Sequence, residues 1–356
     1  MTASQTMTAN PMMTARGATV ASPWFYRFSL LATVLALGVV VLGAYVRLSD
    51  AGLGCPDWPG CYGHLTVPES PAAQQAAQAA YPHRPLEAAK GWKEMIHRYF
   101  AGALGLLILG LAIAAWRKRK ISGYPLVIPL LLLGLVVFQA LLGMWTVTWQ
   151  LKPVVVLAHL LGGLTIVSLL WWQVLRMRRS GESSSGLVPK FWLKAALALG
   201  LVLVVAQIAL GGWTSSNYAA LACNQFPACH DGQIWPNADF SEGFVLWRGL
   251  GINYEYGVLE APARVAIHLV HRLGAVIVAV FTLGLALALW RWVPGRVATW
   301  SAVVLALLVT AQFVLGVSNV LFILPLPVAV AHNAGAALLL LTFVTLNHLI
   351  RPVRAS

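Results

Sequence analysis

Apolar residues gather along this chain in eight blocks of about 20, near 27–46, 94–116, 124–147, 154–175, 191–213, 263–290, 297–319 and 326–349, with shorter polar stretches between them. About 20 apolar residues is what an α-helix needs to cross the hydrocarbon core of a bilayer. The pattern therefore predicts eight transmembrane helices in an all-α membrane protein. Composition agrees, since 59% of residues are hydrophobic and only 10% are charged. Residues 1–23 are polar and weakly charged. They read as a disordered cytoplasmic tail and not as a cleavable signal peptide, because a full-length span follows them.

The net charge of +13 changes the picture only through its distribution. Arg16, Arg27, Arg117, Lys118, Arg119, Lys120, Arg176, Arg178, Arg179, Lys190, Lys194, Arg291, Arg296, Arg351 and Arg354 fall on one side of the predicted membrane, against one acid, Glu182. The other side is nearly balanced. Lys and Arg collect on the cytoplasmic side of membrane proteins, so both termini are expected in the cytoplasm and the chain in the cell inner membrane. The charge reports topology and membrane lipid, not a nucleic-acid partner.

The first four blocks and the last four share a skeleton. Gly43 and Gly211 each precede a cysteine, Cys55 or Cys223, by twelve residues. Cys55 and Cys61 are six apart, as are Cys223 and Cys229. Gln139 and Gln312 each precede a histidine, His159 or His332, by twenty, and Gly143 and Gly316 precede the same histidines by sixteen. This predicts two parallel four-helix-bundle repeats related by a pseudo-twofold axis along the membrane normal. Their expected bounds are 24–179, with an outer loop at 47–92, and 190–351, with an outer loop at 214–261. A flexible cytoplasmic linker, 180–189, joins them, and residues 352–356 form a cytoplasmic tail.

His97, His159, His271 and His332 stand on spans two, four, six and eight, each about 4–9 residues inside the outer end, or roughly 6–13 Å at the helical rise. One such histidine reads as an interhelical hydrogen bond. Four at a common depth, two to a bundle, are arranged to hold a haem iron from both axial sides. Glycine follows three of them at +3, as Gly162, Gly274 and Gly335, where a missing side chain leaves room for a flat porphyrin; span two carries Phe100 instead. The cysteines all lie in the outer loops. Their even count and equal spacing predict the pairs Cys55–Cys61 and Cys223–Cys229, structural or redox-active, with a copper or zinc site using His64 or His230 as the alternative.

The halves also differ three residues before the first histidine of each. Glu94 lies about 60° from His97 and about 40° from Arg98 on the helix wheel, while the second half has His268 at the matching position. An intramembrane carboxylate marks a functional site, as a general base or as a stabiliser of positive charge. Pairing with Arg98 or with the helix N-terminus is the structural alternative. Arg98 and Arg272 suit haem propionates or carboxylate pairing.

From Tyr26 to Arg351 the chain resembles the heme A synthase family. The resemblance rests on Arg47-Leu48-Ser49-Asp50-Ala51-Gly52-Leu53-Gly54-Cys55-Pro56-Asp57-Trp58-Pro59, on the turn from Glu94 to Arg98, on His271-Arg272 and on the histidines of spans four and eight. It implies an oxidoreductase that converts the C8 methyl of heme O to the formyl group of heme A for respiratory oxidases. It also implies His97 and His159 around the substrate haem, Glu94 beside the reacting methyl, and His271 and His332 around a resident haem b that relays electrons. Heme O synthase and oxidase assembly factors are the partners such a role suggests. The rival readings are a di-haem b-type electron carrier and a haem exporter or chaperone.

Overall fold

The computed structural model describes residues 23–179, 187 and 190–350. Ten helices follow one another: α1 Pro23–Leu48, α2 Pro71–Ala80, α3 Ala88–Arg117, α4 Val127–Thr148, α5 Pro153–Arg179, α6 Phe191–Ser216, α7 Phe240–Gly243, α8 Ala261–Trp292, α9 Arg296–Leu321 and α10 Leu326–Leu349. All but α2 and α7 are long and apolar enough to cross a membrane, so the chain is a multi-pass membrane protein. Its spans turn large apolar side chains outward, with Leu106 71% exposed and Val280 67%, as helices solvated by lipid do. The expected tail, nearly all of the linker and the C-terminal residues 351–356 lie outside the described residues.

Each half closes on itself. Helix α1 packs on α3 and α5, and α4 completes the ring by packing on the same two; α6, α8, α9 and α10 form the corresponding ring. The halves meet where α1 touches α10, α5 touches α6, and α5 touches α10. Exchanging α1 with α6 and α5 with α10 leaves that contact pattern unchanged, as a twofold relation requires. Trp171 Nε1 donates to Thr345 Oγ1 at 2.7 Å across the central α5–α10 contact. His348 is buried there against the Trp172 ring, which accounts for it as a packing residue.

Two details differ from the apolar pattern. Helix α3 starts six residues before its apolar block, with Lys90 and Gly91 N–H groups both bonded to the Glu87 carbonyl. Hydropathy marks the part inside hydrocarbon, whereas backbone hydrogen bonding continues past it. Glu94 therefore sits in the second turn of α3, not the first. Helix α2 is an Ala/Gln segment too short to span; Ser70 caps it by accepting from the Ala73 N–H, and Pro71 occupies its first turn.

The outer loops tie the halves together. Arg47 Nη2 donates to the Ser215 carbonyl at the end of α6 at 2.6 Å and lies over the Tyr218 ring. Arg84 pairs with Glu255 at 2.7 Å. Lys152, only 1% exposed in the α4–α5 turn, donates to the carbonyls of Arg248 and Gly249 and faces the Trp247 ring at 3.7 Å. Loss of water around Lys152 lowers its ammonium pKa.

Candidate functional site

His97, His159, His271 and His332 stand on α3, α5, α8 and α10, roughly 9–15 Å from the starts of those helices at 1.5 Å per residue. His97 lies within electrostatic range of His159, and His271 of His332. All four are only partly buried. Each ring rests on a glycine of the preceding span. A Cβ at Gly43 would stand 2.9 Å from Cε1 of His97; at Gly211 it would stand 3.2 Å from His271, and at Gly143 and Gly316 3.4 Å from His159 and His332. The glycines that mark the repeat are thus seats for imidazoles.

Haem fits this donor set. The Nδ1 atoms of His97, His159 and His332 are buried without a hydrogen-bond partner, so the protein does not spend these ring nitrogens on hydrogen bonds of its own. Among the described residues no group of three or more His, Cys, Asp or Glu could cage an ion. A haem iron needs only two protein ligands, because the porphyrin supplies four nitrogens.

The +3 glycines make room for side chains of the preceding span. A Cβ at Gly162, Gly274 or Gly335 would strike the side chain of Gln139, Gln207 or Gln312 respectively. Gln139 Nε2 donates to the His159 carbonyl, and Gln207 Nε2 lies 3.0 Å from both the carbonyl and Nδ1 of His271. The absent side chains make room for glutamines that reach across to the histidine turns. Gln207 has no counterpart at a matching distance before His97, so spacing alone passed over it. The signal was there in another form: Gln207, like Gln139 and Gln312, stands four residues before a histidine-seating glycine.

Glu94 is the sole acid within the eight described spans. It is buried; Oε2 accepts from the Cys55 N–H at 3.0 Å, and Oε1 accepts from Arg98 Nη2 at 2.5 Å. Arg98 Nη1 donates to the carbonyls of Asp57 (3.0 Å), Pro59 (3.2 Å) and Gly60 (2.6 Å). In the second half the Cys223 N–H approaches His268 Nδ1 at 3.4 Å, and that nitrogen also lies 2.9 Å from the Ala219 carbonyl. Arg272 donates to the carbonyls of Cys223, Gln225 and Ala228. Both arginines, expected at propionates or carboxylates, spend these donors on disulfide-loop carbonyls, and Arg98 also takes the carboxylate partner.

Cys55–Cys61 and Cys223–Cys229 are disulfide-bonded, and no cysteine among the described residues is free. The thiolates that a copper or zinc site would use are therefore committed. Asp57 shapes the first loop by accepting from the N–H groups of Tyr62 (2.6 Å) and Gly63 (2.7 Å). Burial pushes the Tyr62 phenol pKa up, with Arg84 partly opposing it. The phenol keeps its proton and donates toward the carbonyls of Arg84 and Pro85.

The model of the COX15-CtaA family, described as cytochrome oxidase assembly protein, matches residues 26–344. The chain is 46% identical over 331 residues to the heme A synthase of Shewanella oneidensis, covering 91% of this chain and 95% of that one. It is 30% identical over 341 residues to the heme A synthase of Rhizorhabdus wittichii, covering 90% and 92%. A third relative, the heme A synthase of Alkalihalophilus pseudofirmus, is 28% identical over 308 residues, covering 86% and 90%.

Proposed function

This chain belongs to the COX15-CtaA family of cytochrome oxidase assembly proteins, and on that premise we propose that it is a heme A synthase, oxidising the C8 methyl of heme O to a formyl group. The division of labour follows the difference at Glu94 and its counterpart His268. The first bundle, with His97, His159 and Glu94, holds the substrate; the second, with His271 and His332, holds haem b. When bound, haem b supplies a one-electron relay away from the substrate. The observation that carries this assignment is a buried carboxylate three residues from one histidine pair and none beside the other.

The chain's own residues then have separable tasks. His97 and His159 fix the height and plane of the substrate. The Cys55 N–H and Arg98 hold Glu94 in place inside the bundle, where an unpaired carboxylate would be expensive to bury. Each of two oxidations removes two electrons and two protons from the substrate, the electrons leaving one at a time through the relay to an acceptor outside this chain. Glu94 takes a proton from the water that adds at the oxidised methyl carbon, giving first the alcohol and then the geminal diol, which loses water to the aldehyde. The outer side of the membrane, with both termini in the cytoplasm, is where charge distribution puts this chemistry. Relatives named as synthases give the electron-carrier alternative no support.

Mass analysis of the porphyrins on purified protein tests the assignment. Wild type should carry haem b together with heme O or heme A. Glu94→Ala should keep haem but accumulate heme O or the alcohol. Haem b alone in wild type, or heme A formed normally by Glu94→Ala, would overturn it. Label from oxygen gas in the formyl group, after control for exchange, would reject water as the oxygen source.

A further inference from the structure

Three of the four histidine turns carry the same two-part latch. A glutamine four residues before the seating glycine lies over a glycine three residues after the histidine: Gln139 over Gly162, Gln207 over Gly274, Gln312 over Gly335. At His159 and His271 the glutamine also donates to the histidine's carbonyl. This ties the turn to the neighbouring helix. At His97 both parts are replaced together: Val39 stands four residues before Gly43, and Phe100 stands three after His97. Val39 has no amide to donate, and Phe100, 49% exposed, replaces the glycine over which a glutamine would lie. Glycine is useful there only with the glutamine, and the glutamine fits only over glycine, so their joint loss is one change and not two.

Resting on the haem reading above, we infer that His97 is the releasable axial ligand and that the chain uses Val39 and Phe100 to keep it so. Its turn is held through the disulfide loop, by Glu94 and Arg98, and its ring rests on Gly43, with no glutamine at the latch position. The other three ligands are positioned by side chains that reach across the bundle. A substrate site must take in one haem and give up another each cycle, whereas a resident relay must keep its own. One unlatched histidine in the first bundle and two latched ones in the second meet those opposite demands. Gln207 is accordingly a positioning residue for His271. Partners that orient a ligating histidine are worth about 10- to 100-fold in affinity.

The rate of haem transfer from purified full-length protein to excess apomyoglobin reads this directly, with mass analysis identifying which porphyrin leaves in each phase. Wild type should show a fast phase of heme O or heme A and a slow phase of haem b. The double variant Val39→Gln, Phe100→Gly supplies the missing latch and should slow the fast phase about tenfold or more. Gln207→Val removes a latch and should speed the slow phase by a similar factor. Unchanged rates in both variants would overturn the inference. Retention of the slow phase is the folding control for the double variant. If that control fails, Gln207→Val alone decides, since it asks for no new packing. Should His97→Ala and His271→Ala leave both haem spectra as in wild type, the axial assignment falls, and the inference with it. That result is distinct from unmoved transfer rates.

Discussion

The outer turns of α3 and α8 perform the same mechanical task with different chemistry. In both, the residue three before the histidine, His97 or His271, meets the N–H of the first cysteine of a disulfide loop, and the arginine after the histidine gathers equivalent carbonyls from that loop. In α8 a histidine is enough for the first contact. His268 Nδ1 donates to the Ala219 carbonyl of the same loop at 2.9 Å, so the fold anchors this loop without a carboxylate, and the negative charge of Glu94 exceeds what anchoring needs. That surplus is the strongest physical reason to give Glu94 a part in the reaction and His268 a part in the scaffold.

The largest effect should come from making the halves alike. Glu94→His reproduces the second half's anchor in the first. It should keep both disulfides and bound haem while lowering heme A formation by about 10²-fold or more, the scale of a lost general base. Activity near wild type would erase the contrast. Arg98→Ala and Arg272→Ala should each destabilise the protein, by about 1–3 kcal/mol for donors of charged hydrogen bonds. Only Arg98→Ala should also reduce turnover, because only Arg98 holds a carboxylate; thermal melts beside heme A yield separate the two effects. Smallest of all, Arg84→Ala breaks a partly exposed ion pair between the loops and should change stability by about 1 kcal/mol or less. A larger loss on thermal unfolding would make the Arg84–Glu255 pair a principal strut between the halves.

The spans and the repeated frame were legible because hydrocarbon thickness and the matching heights of paired histidines and glycines impose fixed spacings on a sequence. His97, His159, His271 and His332 announced themselves the same way. What the sequence hid were contacts between elements. A glycine after a histidine serves a flat cofactor and a neighbouring glutamine equally well, so Gly162, Gly274 and Gly335 could not declare their partners. Arg98 and Arg272 follow a histidine on an apolar helix, which suits a propionate, and only the folded loops show carbonyls in reach. Helix α2, ten residues of mostly Ala and Gln, is too short and too weakly apolar to stand out among membrane-length blocks. Lys152 looked like one more outer-side charge until the loop of the second half was seen folded over it.

That loop and Lys152 make an unreciprocated bond. Pro325 occupies the corresponding place in the second half, with no ammonium to offer. Two copies of the first half would own the lysine but lack the strand of backbone it grips; two copies of the second would own the backbone and lack the lysine. Whatever symmetric ancestor the internal likeness implies, its descendants have specialised past the point of interchange, and neither half is any longer a spare for the other.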